Sequence, residues 1–381
     1  MRNICQNDLK ETLHCCNVVP IRNYQLKETK MSKETLKWLN ANTLIGHTEK
    51  RGNAWHYRAE EQDGESNHFT GPVPVEAVER RLFSWEAVES PLFTATTALI
   101  EEATMMGPNG EPLAMREIPG RKAITRSDTG AVLGVFKEGY KPHQPREWLI
   151  NNVELLVGGD LDIGSAGLLR GGAVAWLQVE ESDNMVTTSG VEYRPFITAA
   201  TSFDGTLATV YKVGVTVVVC DNTMAAALRA DSPEIRIKHT RHSALDLSAM
   251  RDVLGIVEQA GETFANDVER LTNWTVTDAE WDAFLKSLCP VDVNAKSSRG
   301  ETMAIKKRDD LTNLYFHDDR VTKWTGTAFG VLQAVNTWDH HLKTARGTQR
   351  AERNMMNALD GTTAESDSKT LATLSRVCVN A

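Results

Sequence analysis

A cysteine at the end of a strand-forming run is the clearest candidate nucleophile in this sequence. Cys220 closes the apolar part of the stretch VTVVVCDNTMAAAL, which begins at residue 215. A thiol at a strand-to-helix turn can attack a substrate when a histidine removes its proton, and His239 and His242 follow it in the sequence. One hypothesis is therefore a Cys-dependent enzyme.

The residues that flank this cysteine favour a structural interpretation. A nucleophile elbow needs small residues on both sides of the nucleophile, where this chain has Val218 and Asn222. A run of valines is typical of a buried strand, and the three polar residues that follow are good N-caps for a helix that begins at Met224. We therefore predict a structural joint between a core strand and a helix. The joint consists of Cys220, Asp221, Asn222 and Thr223.

The sequence lacks the residue spacings that are typical of metal and cofactor sites. The six cysteines form no C-x-x-C pair, and His340 and His341 would point about 100° apart on a helix. No glycine-rich phosphate loop or dinucleotide fingerprint is present. We predict no metal and no cofactor, and a metal-dependent enzyme remains an alternative.

A basic run after the strand-rich part of the chain could bind phosphates. Arg236, Lys238 and Arg241 lie close together, and Lys212 lies on the preceding hairpin. Lys and Arg side chains that neutralise phosphates give salt-sensitive binding of nucleic acid, and Phe203 or Tyr211 could stack on bases. The alternative is a solvated edge strand whose charges discourage aggregation.

The elements that position these residues are mainly β-hairpins. Turn signals at residues 127–130, 171–172 and 204–205 separate pairs of strand-like runs. From residue 243 the apolar spacing becomes helical, with Thr277-x-x-Glu280 as a capping box. We predict an α+β fold: a mixed, mainly antiparallel sheet built from hairpins with packed helices, followed by a helical C-terminal region.

Four segments follow from these patterns. Residues 1–30 carry no convincing period and are predicted to be a weakly ordered extension, with Met31 as the working start. A mixed α/β block spans residues 31–242, and a helical region spans 243–360. Residues 361–381 are rich in Thr, Ser, Asp and Lys and are predicted to form a flexible tail.

The overall composition is that of a globular protein. Hydrophobic residues make up 41% of the 381 residues, and the formal net charge is -9, so no global positive field points to nucleic acid. No apolar stretch reaches the roughly 18 residues that a membrane helix needs. We expect a protein of the cytoplasm that does not bind membranes.

Seven dispersed motifs resemble a known family. They are MSKETLKWLNANTLIG, KRGNAWHYR, FSWEAVE, TRSDTGAVLGVFKEGYKPHQ, GLLRGGAVAWLQVE, TSFDGTLATVYK and VVVCDNTMAAAL. Together, over roughly residues 31–350, they resemble the phage/plasmid-like family of domains of unknown function, number 932 in that series. The resemblance implies an origin in bacteriophages, plasmids or integrated elements and a bacterial host cytoplasm. It implies no catalytic residue, because the family has no established activity.

The order of hairpins and helices is also similar to the core of the Rad52-like single-strand annealing proteins, which form rings. We therefore predict a non-enzymatic protein that binds or anneals single-stranded DNA, with homo-oligomers as a further expectation. The alternatives are a Cys- or metal-dependent enzyme and a host-interaction protein whose helical region binds a partner.

Overall fold

Antiparallel β-hairpins form the central sheet of the molecule. A computed structural model of the chain describes residues 35–52, 61–62, 64–153, 162–180, 183–217, 222–225, 234–243, 261–291 and 298–378. The predicted extension over residues 1–30 lies outside this part of the chain, as do Cys220 and Asp221.

Every pairing between the described strands is antiparallel, which confirms the predicted sheet type. The strands are β1 (Thr43–Ile45), β2 (Glu61–Gln62), β3 (Glu65–Ser66), β4 (Ala87–Thr97), β5 (Met105–Met106), β6 (Pro112–Arg126), β7 (Val132–Lys137), β8 (Asp162–Leu169), β9 (Val174–Glu180), β10 (Met185–Val186), β11 (Glu192–Ser202), β12 (Thr209–Val217), β13 (Asn222–Ala225) and β14 (Glu234–Ile237). An eight-stranded sheet has the order β1-β8-β9-β11-β12, with β10 beside β11 and with β13 and β14 both beside β12. A second sheet contains β4, β5, β6 and β7, and β2 pairs with β3.

The predicted hairpin turns are confirmed at residues 127–130, 171–172 and 204–205, which connect β6 to β7, β8 to β9 and β11 to β12. At the last of these, Gly205 has a φ of 80°, a left-handed conformation that glycine adopts without steric cost. The Asp204 carboxylate accepts the backbone N–H of Thr206 at 2.9 Å. The turn residues themselves therefore fix where the chain reverses.

The prediction of a helix that begins at Met224 is wrong. Residues Asn222–Ala225 form β13, which pairs with β12 so that Asn222 lies opposite Val217 and Ala225 opposite Gly214. The free edge of β12 offers hydrogen-bond partners to the whole segment, and this tertiary context outweighs the helix propensity of Met and Ala. Asn222 and Thr223 are strand residues and do not cap a helix.

The helices are concentrated in the C-terminal region, as predicted. They are α1 (Leu36–Ala41), α2 (Thr48–Arg51), α3 (Val75–Arg81), α4 (261–273), α5 (Asp278–Leu288), α6 (Ser298–His317), α7 (Ala328–Thr337), α8 (Arg350–Asp360) and α9 (Thr362–Val377). Sheet and helices belong to one compact unit. Among the described helices, none combines the length and the apolar character that crossing a bilayer requires.

Both faces of the eight-stranded sheet are buried. On one face, Val213 packs with the C-terminal helices, and Tyr211, two residues before it, packs with a π-helical turn at Arg146–Asn151 and with residues of the second sheet. On the opposite face, Val210 packs with Met356 of α8. The sheet is therefore the middle layer of the fold, as the continuous apolar character of its strands requires.

The flexible tail predicted from residue 361 is also wrong, because α9 occupies most of it. Its buried side chains lie at helical spacing, and they are Thr363, Asp367, Thr370, Thr373 and Leu374. Most of this buried face is threonine and aspartate, so a search for apolar periodicity does not detect it. The helix packs against α5, α7 and α8.

The capping box of α5 is confirmed and gives a first testable result. The Thr277 hydroxyl accepts the Glu280 N–H at 3.3 Å, and the Glu280 carboxylate accepts the Thr277 N–H at 2.9 Å. Thr277→Ala should lower the free energy of unfolding by about 1 kcal/mol, because a helix N–H loses its acceptor. Urea denaturation measures this loss, and the exposed Ser287→Ala on the same helix serves as the control. Equal midpoints for the two variants would contradict the role of the cap.

Candidate nucleic-acid interface

Two segments that are far apart in the sequence meet beside β14. One follows the end of β7, and the other follows the end of β14. Tyr140 and Thr240 form an antiparallel bridge between them, and the Lys141 N–H donates to the His239 carbonyl oxygen at 3.3 Å. These backbone contacts hold the two segments side by side.

A stack of five aromatic rings also joins these segments. In order, the rings belong to Phe136, Tyr140, His239, His143 and Trp148. Successive ring centroids lie 3.8, 5.1, 4.2 and 3.6 Å apart, and no interplanar angle exceeds 20°. Such pairs contribute about 0.5 to 1.5 kcal/mol each beyond the area that they bury. The stack therefore fixes the position of each segment relative to the other.

Two threonine hydroxyls contact the imidazoles of this stack. His143 Nδ1 lies 2.7 Å from the Thr209 hydroxyl, and His239 Nε2 lies 3.2 Å from the hydroxyls of Thr201 and Thr209. Burial lowers the pKa of His239 to about 4, and burial together with the neighbouring imidazole lowers the pKa of His143 to about 3. Both rings are therefore neutral at neutral pH.

Four exposed cationic side chains lie on the two joined segments. We call Lys137, Lys141, Lys238 and Arg241 the basic junction. The same segments also carry the exposed carboxylate of Glu138. The Lys141 ammonium nitrogen lies 2.7 Å from a carboxylate oxygen of Glu89. The other three cations form no ion pair with any residue that the structure describes.

The acidic residues near the basic junction do not neutralise it. The Glu89 carboxylate is shared between Lys141 and Lys122, with a distance of 2.7 Å to each ammonium nitrogen. The residues of the two joined segments and their ion-pair partners include five cations, the junction and Lys122, against the two carboxylates of Glu89 and Glu138. A local excess of positive charge therefore exists on a chain whose net charge is -9.

Lys212 and Arg236, the other two predicted phosphate ligands, have partners within the chain. The Lys212 ammonium is half-buried and donates to the Ala358 carbonyl oxygen at 3.1 Å, and burial lowers its pKa. The Arg236 guanidinium donates twice to the Glu234 carboxylate, at 2.6 and 3.2 Å, and this hydrogen bonding raises its pKa. The two side chains are therefore less available to phosphate than the exposed cations of the basic junction.

The prediction that Phe203 or Tyr211 stacks on bases is wrong, because both side chains are 0% exposed. Phe203 makes an edge contact with Trp85, with ring centroids 5.5 Å apart. The Tyr211 hydroxyl donates to the Trp148 carbonyl oxygen, and its ring packs among the core residues. The hairpin that carries both residues is covered on each face, so its aromatic side chains belong to the core.

The structure gives no geometric support for a cysteine nucleophile. Cys220 lies outside the part of the chain that the structure describes, His242 is exposed, and His239 belongs to the ring stack. Among the described residues, no group of three or more His, Cys, Asp or Glu side chains could hold a metal ion.

A cleft of about 660 Å³ lies between α3 and the turn Arg146–Asn151. Its charged lining residues are Glu76, Glu79, Arg80, Glu86, Arg146 and Glu147. Because acidic side chains outnumber basic ones, this cleft repels phosphate. The basic junction is therefore the better candidate for an anion.

Sequence reasoning missed Lys137 and Lys141. They occupy the two ends of the stretch KEGYK, about one hundred residues before Lys238 in the sequence. Their short spacing just after a predicted hairpin is a weak local signal. Only the pairing of Tyr140 with Thr240 shows that they join the second basic segment.

A comparison with protein-family models gives a match for this chain. The model described as Domain of unknown function (DUF932) matches residues 132–360, which is more than half of the sequence. The matched range contains all four residues of the basic junction. No curated protein and no solved structure matches the chain.

Proposed function

The chain belongs to the DUF932 family, and we propose that it is a non-enzymatic protein that binds single-stranded DNA through the basic junction. The observation that carries the proposal is the contact between Tyr140 and Thr240, which gathers cations from two distant segments. Phosphate binding needs such gathered Lys and Arg side chains, and the energy comes largely from released counterions. The ring stack beneath the junction supports these side chains on a rigid base.

A single strand suits this site better than a duplex. The junction has only four cations, so few phosphates are contacted at once. The backbone of a single strand is flexible and can adjust its phosphates to the positions of these cations. The negative charge of the chain as a whole works against long-range attraction, so binding depends on this local contact.

The proposal extends to the setting of the protein. We also propose that the protein originates in a phage, plasmid or integrated element, that it acts in DNA recombination and that it is located in the bacterial cytoplasm. Homo-oligomers belong to the same proposal. A host-interaction protein and a Cys-dependent enzyme are the alternatives, and the enzyme would need Cys220.

Charge reversal at the junction tests the proposal. Lys238→Glu/Arg241→Glu should weaken the binding of a fluorescent oligothymidine at low salt by at least about tenfold, because two phosphate contacts become repulsive. Fluorescence anisotropy measures the dissociation constant. Both side chains are exposed, so the variant should keep the unfolding midpoint of the wild type.

The matched control is Lys286→Glu/Lys369→Glu, which changes the net charge by the same amount at two exposed helix positions. It should leave the affinity nearly unchanged. Equal losses in both double variants would show that the net charge alone matters and would contradict a site at the junction. A wild type that does not bind the oligonucleotide at low salt would reject the proposal.

A further inference from the structure

The hairpin of β4 and β6 extends away from the core of the molecule. The two strands pair from Ala87 opposite Arg126 to Thr97 opposite Leu113. No residue from 88 to 123 belongs to any of the buried clusters of the described chain, although residues on both sides of this range do. We call residues 92–118 the arm. Apart from the two-residue β5 near its tip, the arm is two-stranded, and such an arm is only marginally stable unless another surface covers it.

The tip of the arm is apolar and acidic. Leu99, Ile100 and Met106 are 68%, 82% and 62% exposed. Glu101 and Glu102 belong to the same one-turn 3-10 helix as Ile100, and both are exposed. Large apolar side chains that stay exposed together in this way typically mark a contact surface.

An apolar face with basic residues at one end lies at the base of the arm. Directly opposed residues in an antiparallel sheet point to the same face, and the pairing forms three rows across β4, β6 and β7. The rows are Val88-Thr125-Val132, Ser90-Ala123-Val135 and Arg121-Lys137. Val88, Val132 and Val135 are 40%, 63% and 47% exposed. We call this surface the valine face.

The like charges of Arg121 and Lys137 lie directly opposite each other at one end of the valine face. Opposed like charges destabilise a sheet unless an anion lies between or above them. The tip of the arm is complementary to the valine face. Its apolar residues match the valines, and the carboxylates of Glu101 and Glu102 match the two cations.

The tip of one chain cannot reach the valine face of the same chain. Both surfaces belong to the same hydrogen-bonded hairpin, and its strands run continuously from one surface to the other. The complement must therefore come from a second copy.

We propose that the tip of the arm of one copy docks on the valine face of a second copy, with Glu101 and Glu102 against Arg121 and Lys137. Because the two surfaces differ, the contact is head-to-tail and leaves a free tip and a free valine face at the ends of each pair. Further copies then add until a ring closes or a filament grows.

A charge-swap experiment without nucleic acid tests this contact. Sedimentation velocity of the full chain at several concentrations should show assemblies larger than a dimer for the wild type. Glu101→Arg/Glu102→Arg should weaken association at least about tenfold, and so should Arg121→Glu/Lys137→Glu. Combining the four substitutions in one chain should recover most of the association, because two cations on the tip then face two anions on the valine face.

The substituted side chains are all exposed, so unfolding midpoints should stay close to that of the wild type and confirm that each variant is folded. A wild type that remains monomeric at about 100 µM, well above the dissociation constant expected of a specific contact, would overturn the proposal. Association that neither double variant weakens, or that the combined variant does not recover, would overturn it as well. Lys137 belongs to both the basic junction and the valine face. The two proposals are still tested separately, because sedimentation is measured without nucleic acid and the DNA-binding variants change Lys238 and Arg241.

Discussion

Replacement of Phe203 by alanine should lower the free energy of unfolding by about 3 to 5 kcal/mol, because it leaves a large cavity in a closely packed core. The ring is 0% exposed and lies against Trp85. A loss of this size is a large part of the total stability of most domains. Urea denaturation followed by tryptophan fluorescence measures it.

Phe93→Ala is the matched control for this prediction. Phe93 lies on the arm and is 45% exposed, so its loss should change the stability by no more than about 0.5 kcal/mol. The fraction of Phe203→Ala that remains folded should bind oligothymidine with the affinity of the wild type. Selective loss of DNA binding at unchanged stability would contradict the position of Phe203 in the core.

The second large effect is a loss of stability in mild acid. The folded pKa values of His143 and His239 are about 3 and about 4, below the ordinary value of 6.5, so the unfolded chain binds protons that the folded chain excludes. The stability that these rings contribute is complete above about pH 6.5 and is lost as the pH falls toward 4. Each histidine should cost on the order of 3 kcal/mol across this window.

Unfolding midpoints in urea between pH 7.5 and pH 4.5 measure this effect. His143→Asn and His239→Gln each place an amide near the nitrogen that contacts threonine, and each should reduce the slope of stability against pH. Burial also lowers the pKa of His68 and His340, so the test is the difference from the wild type. The exposed His242→Asn is the control. An unchanged slope in the variant that combines His143→Asn with His239→Gln would contradict the neutral state of the two imidazoles in the stack.

The hairpins could be predicted because their signals are local. Asp204-Gly205 and Gly171-Gly172 specify a reversal through backbone conformations that few other residues adopt. The capping box at Thr277 is a local signal of the same kind. The alternation of strands and turns then leads directly to an antiparallel sheet.

The errors arise where strand pairing or helix packing decides the local structure. Met224 and Ala225 are good helix formers, yet Asn222–Ala225 pair with residues 214–217 of β12, only a few positions earlier in the sequence. Helix α9 was missed because threonine and Asp367 occupy most of its buried positions. For α9 the decisive contacts come from α5 and α7, which a local window does not contain.

The candidate site was predicted in part for the same reason. Lys238 and Arg241 belong to one basic run, so composition alone identifies them. Lys137 and Lys141 join them only through the bridge between Tyr140 and Thr240. The side chains of Lys212 and Phe203 were predicted to face a ligand, but their partners within the chain are visible only in three dimensions.

The salt dependence of oligothymidine binding tests the central claim most directly. If the four cations of the basic junction contact phosphates, the logarithm of the association constant should fall against the logarithm of the salt concentration with a slope of about -3. Neutralising Lys238 and Arg241 as Lys238→Gln/Arg241→Gln should bring the slope to about half of that value. A slope that is the same for the wild type and this variant would contradict phosphate binding at the junction.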